Sequence, residues 1–351
     1  MMNTKAYGAT APDSGVNPLT IQRRSLRDDD VAISIDYCGV CHSDIHTVEN
    51  DWGRTSYPIV PGHEIVGTVT AVGPQVSKYN VGDTVGVGCL VDSCGTCPAC
   101  DDHQEQFCDE GIHGTYGGTD RIDGTPNQGG YAESIVVKER FVLAIPDGLD
   151  PAAAAPILCA GITTYSPLKY AGVKQGDKVG VLGMGGLGHM GVKFAKAMGA
   201  EVTIFTRSES KVEEALQQGA DHVIISTDDQ QMQAATEQFD YLLDTIPVEH
   251  DFNPYLNCLK YNGTHIVVGQ LTPLEPALNT GALVMKRRSI LGSLIGGLAE
   301  TQEVLDFCSA HNISCDIEML DIQHINAAYE RMKKGDVKYR FVIDMNSLRN
   351  S

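Results

Sequence analysis

The sequence predicts a two-part α/β protein: a β-rich domain, then a doubly wound parallel sheet, with the end of the chain returning to the first part. Three observations predict it. Residues 30–145 fall into short, β-branched stretches separated by turn signals, strands alternate with helices from about residue 178, and residues 339–345 read as a strand once that alternation has ended. A length of 351 residues suits two domains, expected as 1–152 with 293–351, and 153–292.

In the first domain, residues 31–37 alternate apolar and polar side chains, and 65–72 are rich in β-branched residues until Gly73-Pro74 breaks them. Residues 84–91 and 132–145 read the same way, with a cysteine lobe over about 89–110 and a Gly- and Asp-rich surface loop over 111–130. The character changes near Pro151–Pro156, where an alanine-rich helix starts. Strands follow at 178–183, 201–205, 223–225, 241–244 and 265–268, with helices at 188–198 and 211–218. That alternation is the pattern of a doubly wound dinucleotide-binding sheet.

Composition excludes several function classes. With 45 acidic and 26 basic residues the formal charge is −19, a field that repels phosphate backbones and anionic lipid; Lys286-Arg287-Arg288 is too short a run to reverse it. No nucleic acid or membrane partner is expected. There is no apolar run of about 18 residues, and Met1-Met2-Asn3-Thr4-Lys5 lacks an apolar signal core, so a cytoplasmic location is expected. Eleven cysteines, several tightly grouped, read in a reducing compartment as metal ligands before disulfides.

Cys94, Cys97, Cys100 and Cys108 place four thiolates within fifteen residues. Four thiolates close a tetrahedral zinc site and leave no position for substrate, so the expected role is structural; an iron–sulfur cluster is the alternative. Gly183-Met184-Gly185-Gly186-Leu187-Gly188 satisfies G-x-G-x-x-G between a strand and a helix, the context in which backbone amides meet a pyrophosphate. An enzyme using NAD carries an acid at the end of the second strand; this chain has Thr206, followed by Arg207, Ser208 and Lys211. Two charge-assisted contacts of roughly 1.5–3 kcal/mol each would favour a 2′-phosphate by more than about a hundredfold. The expected cofactor is NADP(H). Arg207 and Lys211 could otherwise merely solvate a helix start, but the missing acid weighs against that.

A second metal site would have to be assembled from Gly39–His46, Gly62-His63-Glu64 and Leu158-Cys159-Ala160-Gly161, and spacing does not connect these segments. Resemblance does. With GVCHSDIH at 39–46, PGHEIVG at 61–67, the four-cysteine lobe, LCAGITTY at 158–165, GMGGLGH at 183–189 and KYRFVID at 338–344, the chain resembles the zinc-containing medium-chain alcohol dehydrogenases, in particular the cinnamyl-alcohol-dehydrogenase-like bacterial aldehyde reductases.

The resemblance implies a GroES-like catalytic domain beside the Rossmann domain, and two Zn²⁺ per subunit, one catalytic and one structural. It implies Cys41, His63 and Cys159 as ligands of the catalytic zinc, with Cys38 the competitor for the first place. Glu64 is either an exchanging ligand or a carboxylate behind His63, and Asp44 accepts the other ring N–H of His63. Ser43 and His46, three residues apart and so on one face of a helical turn, correspond to the family's proton relay. His42 and Arg340 correspond to pyrophosphate contacts, Thr163 to the nicotinamide side, and Trp52 and Leu90 to the substrate pocket. The implied reaction is reversible reduction of aliphatic and aromatic aldehydes by NADPH in a homodimer. The alternatives are a zinc-free quinone or enone reductase on the same fold, and a non-catalytic NADP-binding regulatory protein.

Overall fold

The computed structural model describes residues 2–269 and 272–350; Met1, at the head of the N-terminal stretch read above, lies outside them. Two compact units are present, dividing between residues 159 and 160 and again between 295 and 296. The alanine-rich stretch expected to begin the second domain belongs to the first. Pro151–Ala154 and the 3-10 segment Ala155–Leu158 are buried against the strands Asp30–Gly39 and Ile65–Val72. Their small side chains let the chain run close under that sheet, which carries Cys159 into the first unit.

The first unit is built on one mixed sheet. Its spatial order is Ile317–Asp321, Arg340–Asp344, Asp30–Gly39, Ile65–Val72, Thr84–Val87 and Leu143–Ala144, with Ser134–Lys138 also paired to Asp30–Gly39. The late strand Arg340–Asp344 returns as expected and pairs antiparallel with Asp30–Gly39, Val342 opposite Gly39. A hairpin of Met2–Gly8 with Asn17–Arg23 was not legible in the sequence, because Asn3, Lys5 and Thr20 interrupt its apolar pattern. Residues 111–130, expected as a surface loop, are anchored: Arg27 grips Asp120 bidentately at 2.9 Å and 2.9 Å, and His113–Gly114 pairs with the strand Leu90–Asp92.

The second unit is a parallel sheet in the order His222–Ile225, Glu201–Thr206, Lys178–Leu182, Phe239–Asp244, Leu259–Val267, Ser289–Gly292. That is the 3-2-1-4-5-6 order of a dinucleotide-binding fold. The sixth strand is only four residues long and half exposed, too short to show in hydrophobic pattern. At the carboxyl end of the fourth strand, Asp244 is 1% exposed and its Oδ2 accepts from His250 Nε2 and His265 Nε2, each at 2.9 Å. Burial pushes the Asp244 pKa up, but the two histidines outweigh it and hold the carboxyl below its usual range.

A depressed carboxyl pKa contributes stability above the group's unfolded value and loses it as pH falls through the folded one. Asp244→Asn is therefore expected to cost about 1.5–3 kcal/mol at neutral pH. In urea unfolding, the gap between wild type and variant should narrow below about pH 4; a constant gap down to pH 2 would show that the carboxylate's charge is irrelevant.

Candidate active site

Cys41 lies where the strand Asp30–Gly39 has ended and the helix His42–Glu49 begins. It caps that helix in extended conformation (φ −117°, ψ 154°), and its N–H donates to Oδ2 of Asp44, three residues on, at 2.9 Å. The same carboxylate takes the Gly62 N–H at 3.0 Å and the Tyr131 hydroxyl at 3.3 Å, and its Oδ1 lies 3.3 Å from His63 Nδ1. Asp44 thus fixes two ligand segments at once. With Nδ1 facing the Asp44 and Tyr116 oxygens, Nε2 is the His63 nitrogen left to ligate a metal.

Cys159 enters from the turn between Ala155–Leu158 and the helix Ala160–Ala171. Its sulfur stands 4.0 Å from that of Cys41, although 118 residues separate them. Both sulfurs, a His63 nitrogen and a Glu64 oxygen lie within 4.8 Å of one another. Zinc–sulfur arms of about 2.3 Å at the tetrahedral angle set sulfurs about 3.8 Å apart, so the spacing fits that ion. Cys38 is outside this group; its sulfur is fully buried and donates to the Gly39 carbonyl at 3.6 Å.

The donor set suits a dication chemically. Hydrogen bonding from Cys159 holds Cys41 far below the usual thiol range, and the same bond, with one to Cys89, pushes Cys159 well above it. The pair shares one proton that a cation would displace. Glu64 is fully buried, and burial pushes its pKa up against the opposing charge of Arg340. One of its oxygens accepts from Arg340 Nη2, and the other has no hydrogen-bond partner among the described residues. A Cβ on Gly39 would fall 1.9 Å from that second oxygen, so only glycine leaves room for it. Arg340, expected at the pyrophosphate, is 3% exposed and pairs through Nη2 with Glu64, while its Nε has no hydrogen-bond partner among the described residues.

Cys94, Cys97, Cys100 and Cys108 form the second group, with all four sulfurs within 4.8 Å and Cys94 to Cys100 at 3.8 Å. This is the edge of a single-ion tetrahedron; an iron–sulfur cube, with one iron per thiolate, would hold the sulfurs further apart. Backbone N–H groups of Thr96 and Cys97 donate to Cys94 at 3.5 Å and 3.3 Å and bring its pKa down to about 6. The thiolate is ready before a metal arrives.

Around the first group, Ser43 and His46 share the helix with Asp44, and His46 Nδ1–H donates to Asp51 Oδ2 at 2.7 Å. The His46 ring also stands 5.4 Å from Trp52, and the Arg54 guanidinium lies 5.2 Å over the Trp52 ring. His42 is half-buried, and burial holds it below the ordinary histidine range. Leu90 is buried opposite Gly114. Tyr116, in the loop dismissed from sequence as surface, brings its hydroxyl 3.1 Å from His63 Nδ1. Neither Tyr116 nor Cys89, whose sulfur donates to the Leu158 carbonyl at 3.8 Å, carries any local sequence signal. Asp51 could have been read as an acid just past the helix carrying His46.

In the second unit, Gly183 adopts φ +91° and donates its N–H to the Phe205 carbonyl at 3.0 Å. A Cβ on Gly188 would lie 2.2 Å from the Gly183 carbonyl oxygen, whereas one on Gly185 would meet nothing within 4 Å. Gly188 is thus needed for the turn itself, and Gly185 leaves open backbone where a phosphate could approach. Gly186 and Leu187 complete the turn, and the helix Gly188–Ala197 has no side-chain cap at its start. At the end of Glu201–Thr206, Thr206 Oγ1 accepts from the Ser208 N–H at 3.3 Å and the hydroxyls of Ser208 and Ser210 pair at 2.7 Å. Arg207 is exposed, and Lys211 reaches Glu214 at 3.1 Å. Ser210 is an addition to the expected set. Thr163 is buried in the first turns of Ala160–Ala171.

Comparison with known proteins shows the family. Residues 27–147 match the alcohol dehydrogenase GroES-like domain and residues 186–310 the zinc-binding dehydrogenase domain. The chain belongs to the zinc-containing alcohol dehydrogenase family. It is 51% identical to the aldehyde reductase YahK of Escherichia coli (strain K12) over 99% of both chains. Among solved structures it is similar to a cinnamyl alcohol dehydrogenase of Sorghum bicolor, with TM-score 0.95, 42% identity and 98% of each chain covered. It is also similar to a Helicobacter pylori CAD complexed with NADP(H), with TM-score 0.92, 42% identity and 98% and 99% covered. This zinc alcohol dehydrogenase has no helix among its described residues long and apolar enough to cross a membrane.

Cys100→Ser is expected to release one zinc and lower the melting temperature by several degrees, with the surviving protein keeping its activity per folded chain; a selective loss of turnover at unchanged melting temperature would place that cysteine in the chemistry instead.

Proposed function

We propose that this dehydrogenase works in the cell as an NADP(H)-preferring aldehyde reductase, converting aliphatic and aromatic aldehydes to primary alcohols. The observation that carries the reading is the convergence of Cys41, His63 and Cys159 with a carboxylate oxygen of the buried Glu64. Such a two-sulfur, one-nitrogen set suits a catalytic rather than a closed zinc site. When bound, zinc supplies a Lewis acid for the carbonyl and NADPH supplies the hydride.

The remaining work falls to the chain's own side chains. Ser43 hydrogen-bonds the reacting oxygen and His46 exchanges the proton with solvent. His46 suits this because it is half-exposed and braced by Asp51, which fixes its ring without burying it. Asp44 orients His63, and Arg340 holds Glu64 in reserve beside the ligands. His42, Thr163 and Arg340 are assigned to the cofactor by family resemblance. Trp52 and Leu90 are assigned to the substrate pocket in the same way. Thr206, Arg207, Ser208 and Lys211, joined by Ser210, form the 2′-phosphate site; two paired hydroxyls and an exposed guanidinium attract a phosphate where an acid would repel it. The relative solved with NADP(H) supports that preference.

The sheet edge at Ser289–Gly292 and the exposed Val284 and Met285 before it (79% and 81%) suit a homodimer, in which a second copy covers an open strand edge. With six cysteines set in two ligand groups, the reducing cytoplasm is the proposed compartment.

The test is NADPH oxidation with benzaldehyde and a straight-chain aldehyde, before and after chelation. Turnover that depends on zinc is expected, and turnover indifferent to chelation would favour a zinc-free reductase on this fold. Thr206→Asp should cut the preference for NADP over NAD at least tenfold; an unchanged ratio of kcat/KM values would remove the 2′-phosphate assignment.

A further inference from the structure

We propose that Tyr116 is a positioning residue for the catalytic zinc: its hydroxyl accepts a hydrogen bond from the ring of His63, so that a loop remote in sequence holds a metal ligand in place. The proposal rests on the zinc reading above.

His63 Nδ1 has two oxygen neighbours, Asp44 Oδ1 at 3.3 Å and the Tyr116 hydroxyl at 3.1 Å. Asp44 is already heavily used, since Oδ1 takes the Gly62 N–H while Oδ2 takes the Cys41 N–H and the Tyr131 hydroxyl. The tyrosine is the closer partner. A phenol oxygen can accept a hydrogen bond, and the Tyr116 oxygen is placed to accept from His63 Nδ1–H. The rings of His63 and Tyr116 also pack, with centroids 5.6 Å apart.

The loop is built to hold this residue still. Immediately before it, Thr115 donates its hydroxyl to the Gly88 carbonyl at 2.5 Å and its N–H to the Cys89 carbonyl at 3.1 Å. Beyond it, Asp120 is clamped by Arg27 and approached by Arg24 Nε at 3.3 Å, and Asn127 Nδ2 reaches the Gly114 carbonyl at 3.1 Å. Both flanks of Tyr116 are therefore tied to the first unit. A hydroxyl placed this way limits the rotation of His63 about its χ angles and keeps Nε2 aimed at the ligand group.

The experiment compares wild type with Tyr116→Phe and Tyr116→Leu, each loaded with two zinc ions and challenged with a chelator while released zinc is counted. In both variants the first zinc should leave at about ten- to a hundredfold lower chelator concentration, the usual cost of losing a group behind a ligand. The second zinc, held by the four cysteines, should leave as in wild type, and the melting temperature of the Phe variant should be nearly unchanged. Cobalt substituted for the first zinc should show a shifted visible band. Release of the first zinc at the wild-type chelator concentration would overturn the proposal, as would parallel loss of both ions, which would make Tyr116 a folding residue only. A wild-type chain that holds a single zinc would instead remove the functional reading beneath it.

Discussion

A single buried carboxylate organises the metal site. Asp44 is fully buried, a position that costs several kcal/mol for an unpaired charge, and it is stable there because donor groups from three segments converge on it. One is the N–H of Cys41, one precedes His63 in the chain, one is the His63 ring, and one is the Tyr131 hydroxyl, which in turn meets Tyr329 at 3.5 Å. The charge that needs solvation and the ligands that need orientation satisfy one another. Removing Asp44 would leave the N-cap of the ligand helix and the turn at Gly62 without a common partner.

The third ligand arrives by a different constraint. Cys159 is placed by packing, since the alanine-rich segment before it lies buried against the sheet. Pairing of Val342 with Gly39 then brings Arg340 up beside Glu64. The late strand that pairs with Asp30–Gly39 therefore also holds the carboxylate next to the metal-binding group.

Local chemistry was legible in the sequence wherever it was contiguous. The four-cysteine lobe and the glycine turn at 183–188 declare themselves because both partners of each interaction lie within a few residues. The same holds for the parallel strands, whose apolar runs are short but regularly spaced. Cys41, His63 and Cys159 were a different matter, since Cys159 in an apolar helix start looks like packing until a resemblance joins it to the others. Tyr116 was invisible for the opposite reason: glycine and aspartate around it read as a solvated loop, while the anchoring through Arg27 and Asp120 spans 93 residues. The ion pair of Arg340 with Glu64 was not legible either, since it depends on strand pairing across the whole length of the first unit.

The central claim is that two thiolates and an imidazole from distant segments hold one dication that the reaction needs. The most direct measurement is zinc per chain, followed together with aldehyde turnover during graded chelation. The account predicts two zinc ions per chain, with turnover falling in step with loss of the more readily removed one. Full turnover by a chain holding one zinc would contradict it.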